Sequence, residues 1–213
     1  MVYGFLAAWR EVKEIIMGLL AVMALGGLTR RVWLAGAAAG LLAWGAYFFR
    51  DPDRTPESAL PGSLVSPADG HVTHIDLVDE PHFIGGPARR VSIFLSLFDV
   101  HVQRAACPGQ VEMVRYQPGD FAPAFLKDTH SNESNLIGFS TPYGPIAVKQ
   151  IAGILARRIV CRVEPGQTVE QGERLGLIKF GSRVDLLLPP QTEVLAAVGQ
   201  KVYGGQTVVA RCQ

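Results

Sequence analysis

Two apolar runs near the start of the chain limit the fold more than any other feature. Residues 15–28, IIMGLLAVMALGGL, and residues 32–49, VWLAGAAAGLLAWGAYFF, carry no charge, and Thr29-Arg30-Arg31 separates them. A spanning helix needs about 20 apolar residues, so the second run just reaches the lower end of that range and the first is short for it. A secretory signal fits less well: there are two runs, and the second ends in FFRDPDR, not in small residues. Trp33, Trp44, Tyr47, Phe48 and Phe49 suit a membrane–water boundary. The expectation is a membrane-anchoring helical hairpin over residues 1–49, against a buried helical pair of a soluble domain. Arg10, Lys13, Arg50 and Arg54 flank it, while Arg30 and Arg31 sit in its loop. That count favours both ends, and the domain that follows, on the cytoplasmic side of an inner membrane.

Residues 50–63, RDPDRTPESALPGS, read as a linker or extended strap because prolines and mixed charges crowd there. From residue 64 to 213 short apolar runs alternate with Gly, Pro and Asp, which is strand rhythm with turn punctuation. The fold class is therefore mainly β with a minor helical part. Two segments, VEPGQTVEQGERLGLI (163–178) and AAVGQKVYGGQTVVAR (196–211), repeat the pattern G-Q-x-V-x-x-G. The rhythm resembles the flattened sandwich of biotinyl and lipoyl carriers, so a carrier-like sandwich is expected in the C-terminal part. Lys149 and Lys179 lack the hairpin-tip setting of a carrier lysine, and the carrier function is not supported.

A net charge of +1 with scattered basic residues gives no field for nucleic acid. Cys107, Cys161 and Cys212 show no CxxC spacing, against a disulfide framework or a zinc site. His71 and His74, three apart in strand-like sequence, are expected on opposite faces and are rejected as a metal pair. No metal is expected.

The stretch FGSRVDLLLP (180–189) places Gly181-Ser182 before a buried-looking strand. Most Gly-Ser pairs are turns. The sharper reading is a scissile bond: Gly181 removes bulk, so the Ser182 hydroxyl can approach the preceding carbonyl. A serine needs a base and a polarised carbonyl to attack. SLFDVHVQR (96–104) offers His101, with strand alternation placing Asp99, His101 and Gln103 on one face. A surface histidine is the bland alternative. Arg104 suits a carboxylate or phosphate, or a salt bridge. In SPADGHV (66–72), Asp69 either caps a turn or orients a histidine. In HSNESN (130–135), Asn132 and Glu133 form either an exposed loop or a polar pocket wall. Arg183 and Lys149 are further basic candidates for an anionic ligand.

FFRDPDR, SPADG, FLSLFDVHVQR, SNESN and FGSRVDLLLP, in this order and behind an apolar N-terminus, resemble the phosphatidylserine decarboxylases in their short bacterial and archaeal form. The resemblance covers nearly the whole chain. It implies a pro-enzyme that cuts itself between Gly181 and Ser182, giving a β chain of residues 1–181 and an α chain of residues 182–213. It also implies that Ser182 becomes a covalent pyruvoyl group, with Asp69 and His101 as the other members of an Asp-His-Ser group. Longer relatives carry a second histidine three residues on; Arg104 stands there in this chain. The implied reaction decarboxylates phosphatidylserine in the bilayer to phosphatidylethanolamine. Assembly into a homo-oligomer is left open. The alternative from another class is a non-catalytic, carrier-like membrane adaptor.

Overall fold

The computed structural model describes residues 13–57, 60–120, 131–153, 158–179 and 182–212. Gly181 and His130, both singled out in the sequence, lie outside them. The chain divides into two compact units, Met1–Pro52 and Asp53–Gln213.

The first unit contains helices α1 (Lys13–Leu28) and α2 (Val32–Phe48), packed on each other. Thr29 closes α1 through its N–H and hydroxyl, both donated to the Leu25 carbonyl. Arg30 then takes a positive φ of 56° and reverses the chain. Gly26 lets the helices touch, since a Cβ there would lie 2.8 Å from the Ala35 nitrogen. The helical pair therefore forms, and the membrane-anchoring part of the expectation gains no support from it as a spanning element. No helix among the described residues is long and apolar enough to cross a membrane. The break at residues 29–31 ends α1 and leaves α2 with 17 residues. At about 1.5 Å per residue α2 reaches about 26 Å, short of the roughly 30 Å hydrocarbon core.

The second unit is β throughout its described elements. Its strands are β1 (Ser63–Val65), β2 (Gly70–Glu80), β3 (Gly86–Leu95), β4 (Val102–Arg104), β5 (Gly109–Gln117), β6 (Ser134–Thr141), β7 (Gly144–Ala152), β8 (Arg158–Cys161), β9 (Thr168–Val169), β10 (Arg174–Lys179), β11 (Ser182–Leu188), β12 (Glu193–Val194), β13 (Lys201–Val202) and β14 (Val208–Arg211). They form an eight-stranded sheet, β13-β2-β3-β11-β7-β6-β5-β9, and two three-stranded sheets, β1-β14-β12 and β4-β10-β8.

This order reads the same from both ends. β4 to β10 repeat the pairing pattern of β1, β2, β3, β11, β12, β13 and β14, strand for strand. One copy is inserted into the other, between β3 and β11. The repeat extends to detail. β2 carries a bulge at Val72/His74 against β3, and β5 carries one at Val111/Met113 against β6. Gly199 donates to Val72 and Gly166 to Val111; Gly205 donates to Ser66 and Gly172 to Ala105. The copies also exchange bonds, Val65 N–H to Ala106 and Arg104 N–H to Pro67, each at 2.9 Å.

The duplication corrects the carrier-like sandwich. The two G-Q-x-V segments do not close on each other. The first supplies β9 and β10 and the second β13 and β14, so equivalent strands lie at opposite edges of the large sheet and in different small sheets. Their glycines do turn the chain, with φ of 92° at Gly166 and 87° at Gly199. The bulge in β2 also overturns the parity argument for the histidines: His71 and His74 pair with Phe94 and Ser92, two apart on β3 and so on one face. Among the described residues no group of three or more His, Cys, Asp or Glu could hold a metal ion.

The strap is not a free linker. Arg54 donates to Asp69 at 2.9 Å and to Gln206 at 3.1 Å, and the Glu57 N–H donates to the Gln206 carbonyl. β11, between β3 and β7, divides the unit's interior. Val184, Leu186 and Leu188 enter the main core, whereas Leu187 joins a smaller cluster with Ala88, Leu136 and Ala147.

Candidate active site

Ser182 opens β11, opposite Leu95 on β3 and Ala152 on β7. Strand alternation turns it to the side of Val184 and Leu186, into the main core. It is fully buried, and its hydroxyl has no hydrogen-bond partner among the described residues. A buried, unsatisfied hydroxyl costs free energy, and a position that keeps one calls for an explanation, of which a reactive role is one.

The segment from Ser96 to His101 is a turn rather than the expected strand, which begins only at Val102. The Asp99 N–H donates to the Ser96 carbonyl, and the Asp99 carboxylate accepts from the Ser96 N–H and hydroxyl. Asp99 also accepts from Lys201 Nζ. Burial works to raise the Asp99 pKa, but Lys201 and Ser96 outweigh it and hold the carboxyl below its ordinary value. His101 is buried and its Nδ1 lies 2.9 Å from the Asp99 carbonyl oxygen. A carbonyl only accepts, so Nδ1 carries the proton and Nε2 is left as the basic nitrogen.

Asp69 occupies the turn before β2, buried, with its carboxylate accepting from the Gly204 N–H at 2.7 Å and from Arg54 at 2.9 Å. Burial raises its pKa, against the pull of Gly204 and Arg54. The carboxylate of Asp69 thus ties the strap to the hairpin before β14, and the Asp99 carbonyl makes the Nδ1 contact that a triad carboxylate would make.

Asn132 lies beside Ser182: its amide donates to the carbonyl of Ala152, the cross-strand partner of Ser182, over 2.8 Å. Glu133 holds the Ala152 N–H through its own carbonyl. Arg104 is buried and donates to the Gly172 carbonyl at 3.0 Å, within the inserted copy of the repeat. Arg183 points to the opposite face of the sheet from Ser182 and binds Asp185 with both nitrogens at 2.7 Å. On that outer face lies a cleft of about 910 Å3, lined by Asp76, Glu80, Arg90, Arg115, Lys149 and Asp185 among others. Arg90 is spent on Asp76 at 2.8 and 2.9 Å. Lys149 faces Asp185, and burial lowers its pKa. The structure therefore brings Ser182 and Asn132 to one site, and it separates Arg183 and Lys149 from them.

Sequence reasoning missed a buried amide chain. Asn135 donates to Gln150 at 2.9 Å, Gln150 to Gln103 at 2.8 Å, and Gln103 to the His101 carbonyl at 2.8 Å. Gln150 sits opposite Val184, two residues from the Ser182 pair. A glutamine at the inward position of IAVKQIA was the available signal. Lys201 and Arg54, 102 and 15 residues from their partners Asp99 and Asp69, gave none.

Residues 41–210 match the family model described as phosphatidylserine decarboxylase. A phosphatidylserine decarboxylase proenzyme of Carboxydothermus hydrogenoformans is 45% identical over 209 residues, covering 97% of both chains. One of Salinibacter ruber is 49% identical over 177 residues, 82% of this chain and 78% of that one. The chain belongs to the phosphatidylserine decarboxylase family.

Proposed function

We propose that this chain is a self-processing decarboxylase that converts phosphatidylserine to phosphatidylethanolamine and CO2, with a cofactor made from its own Ser182. One observation carries the reading beyond family membership: the Ser182 hydroxyl is buried and unpartnered at the head of the central strand, with its backbone held on both sides. A fixed, dehydrated nucleophile is what an attack on the adjoining peptide carbonyl requires.

His101 takes the hydroxyl proton at Nε2. Ser182 Oγ then bonds to the Gly181 carbonyl carbon, the C–N bond breaks as His101 returns the proton to the Ser182 nitrogen, and the amide becomes an ester with a free amine. Loss of the Cα proton expels the Gly181 carboxylate and leaves a dehydroalanine, which hydrolyses to a pyruvoyl group and ammonia. Cleavage leaves a β chain of residues 1–181 and an α chain of residues 182–213. The pyruvoyl ketone supplies an electron sink for the pair left behind by CO2. The protein's part is to exclude water with the core residues around β11, to hold the Ala152 carbonyl through Asn132, and to keep His101 in one tautomer. Asp69 supports the site by fixing Gly204 and Arg54.

The helical pair keeps Ile15, Met17, Leu25, Leu28, Val32 and Trp33 exposed. That apolar surface supports anchoring within one leaflet, where a lipid substrate is met at high effective concentration; the basic residues that flank the pair favour the cytoplasmic face of an inner membrane.

The test is the intact mass of the purified protein under denaturing conditions, beside a Ser182→Ala variant. Two fragments parted at Gly181/Ser182, the smaller beginning with pyruvoyl, are expected from the wild type and a single chain from the variant. One uncut chain in both, after long incubation with lipid, would favour the carrier-like adaptor.

A further inference from the structure

We propose that Asp99 and Lys201 are a pair of positioning residues that set His101 for its work at Ser182. The inference rests on the reading of His101 as the base. His101 is oriented by the backbone of Asp99, so whatever fixes that backbone fixes the ring. Four bonds fix it. The Asp99 N–H holds the Ser96 carbonyl, its carboxylate holds the Ser96 N–H and hydroxyl, and Lys201 closes on the other carboxylate oxygen. The Asp99 carbonyl is thereby aimed at His101 Nδ1.

The placement of Lys201 gives the pair its second property. Lys201 lies on β13, the edge strand, opposite His71, and belongs to the part of the chain that follows residue 182. Asp99 lies in the part that precedes it. After cleavage the two residues would stand on different chains. The pair therefore holds the histidine turn of the larger chain against the smaller chain that carries the new N-terminus, at the same end of the sheet. Cutting the bond at 181/182 frees one tether of this region; the ion pair keeps the turn in register across the cut. The charged group that acts on the Asp99 carboxylate is Lys201, and Asp99 in turn works to raise the pKa of Asp69, which is paired with Arg54.

The side chains of the pair are part-buried, with Lys201 32% and Asp99 7% exposed, so solvent competes poorly for the carboxylate. Removing Lys201 removes the largest cation that keeps Asp99 ionised. The clamp then loosens at a pH where the wild type still holds it. Ser96 alone keeps the turn closed but not pinned to β13.

The experiment follows self-cleavage of the full chain from freshly refolded precursor between pH 4 and 8, for the wild type, Lys201→Met, Lys201→Arg, Asp99→Asn and His101→Gln. Lys201→Met and Asp99→Asn are expected to slow cleavage by up to about a hundredfold, the usual cost of a small misplacement of a reacting group. The acid limb of the Lys201→Met profile is expected to move to higher pH, and Lys201→Arg is expected to restore both rate and limb. A merely structural role would lower the rate evenly across pH and lower the melting temperature, with no shift of the limb; that result overturns the proposal. So does wild-type behaviour of Lys201→Met while His101→Gln is inactive. Normal cleavage by His101→Gln would overturn the reading of the base itself, and the clamp with it.

Discussion

Gln150 donates its side-chain amide to Gln103 over 2.8 Å, with both side chains fully buried in the core beneath Ser182. Between Asn135, which donates, and the His101 carbonyl, which accepts, Gln150 and Gln103 each give and take a hydrogen bond, so the members polarise one another. Gln150→Leu would leave the Asn135 amide without its acceptor and the Gln103 oxygen without its donor. Each orphaned buried group costs about 1–3 kcal/mol. In a domain of this size a kcal/mol moves the melting temperature by about 2–4 °C, so a fall of at least about 4 °C is expected. Gln103→Leu/Gln150→Leu should fall by less than the sum of the single variants, because one pair of orphans disappears. Thermal melts on a Ser182→Ala background, which keeps one covalent state, measure this. Additive losses would show that the amides do not act as a run.

Lys149 gives a prediction of opposite sign. It sits on the outer face of the large sheet, opposite Asp185, and burial holds its pKa below the ordinary lysine value of 10.5. A folded-state pKa below the unfolded one means that stability is present above the unfolded value and is lost as pH falls through the folded one. At neutral pH the charged amine is therefore a burden on the fold. Lys149→Met should raise the melting temperature at pH 7, and the gain should shrink as the pH approaches 10.5. A lower melting temperature for the variant at pH 7 would mean that attraction to Asp185 outweighs desolvation.

Ser182, His101 and Asp69 stood out in the sequence only as members of short motifs, each with a bland alternative; the structure buries all three and gives the Asp69 carboxylate to Gly204 and Arg54. The β character of residues 64–213 was legible from alternation alone. The nested duplication was half visible: the G-Q-x-V segments announced it, but one repeat unit was read as a neighbour of the other. What hid the arrangement is that β1–β3 complete their copy with strands more than 80 residues later, after the whole second copy. A local pattern carries no information about a partner that distant. The turn at Ser96–His101 was misread as a strand because LFDVHV alternates apolar and polar residues; the Ser96–Asp99 bonds override that rhythm. The apolar hairpin was legible as helices, with the first ending at Leu28 and the second running from Val32 to Phe48, within a residue of the ends of the apolar runs.

Asp69 and Arg54 should behave as one unit. Their ion pair of 2.9 Å ties the strap to the turn before β2, and Gly204 hangs on the same carboxylate. If the carboxylate acts on the site through these ties, Asp69→Asn and Arg54→Met should slow self-cleavage to similar extents, by up to about a hundredfold. The double variant should be little slower than either, the signature of residues that share one interaction. A large loss in Asp69→Asn beside a near-normal Arg54→Met would show instead that the carboxylate acts on His101 directly.

The last prediction concerns what cleavage leaves behind. β11 is registered with β3 from Ser182↔Leu95 to Leu188↔Arg89, and with β7 from Ser182↔Ala152 to Leu187↔Ala147. β14 sits between β1 and β12, and β13 on β2. The segment that would become the smaller chain is thus an internal strand of one sheet, the middle of another and an edge of the first. Val184, Leu186, Leu188, Val209 and Ala210 are all buried in the main core. Hydrophobic burial and central-strand pairing are insensitive to salt, unlike surface ion pairs. The fragments should therefore co-elute on gel filtration at both low and high salt, and part only in denaturant. Leu186→Asp, which puts an unpaired charge in the core between Val91 and Val148, should prevent folding of the precursor and so abolish cleavage itself. Dissociation of the wild-type fragments in native buffer would show that β11 is held by the covalent chain and not by its neighbours.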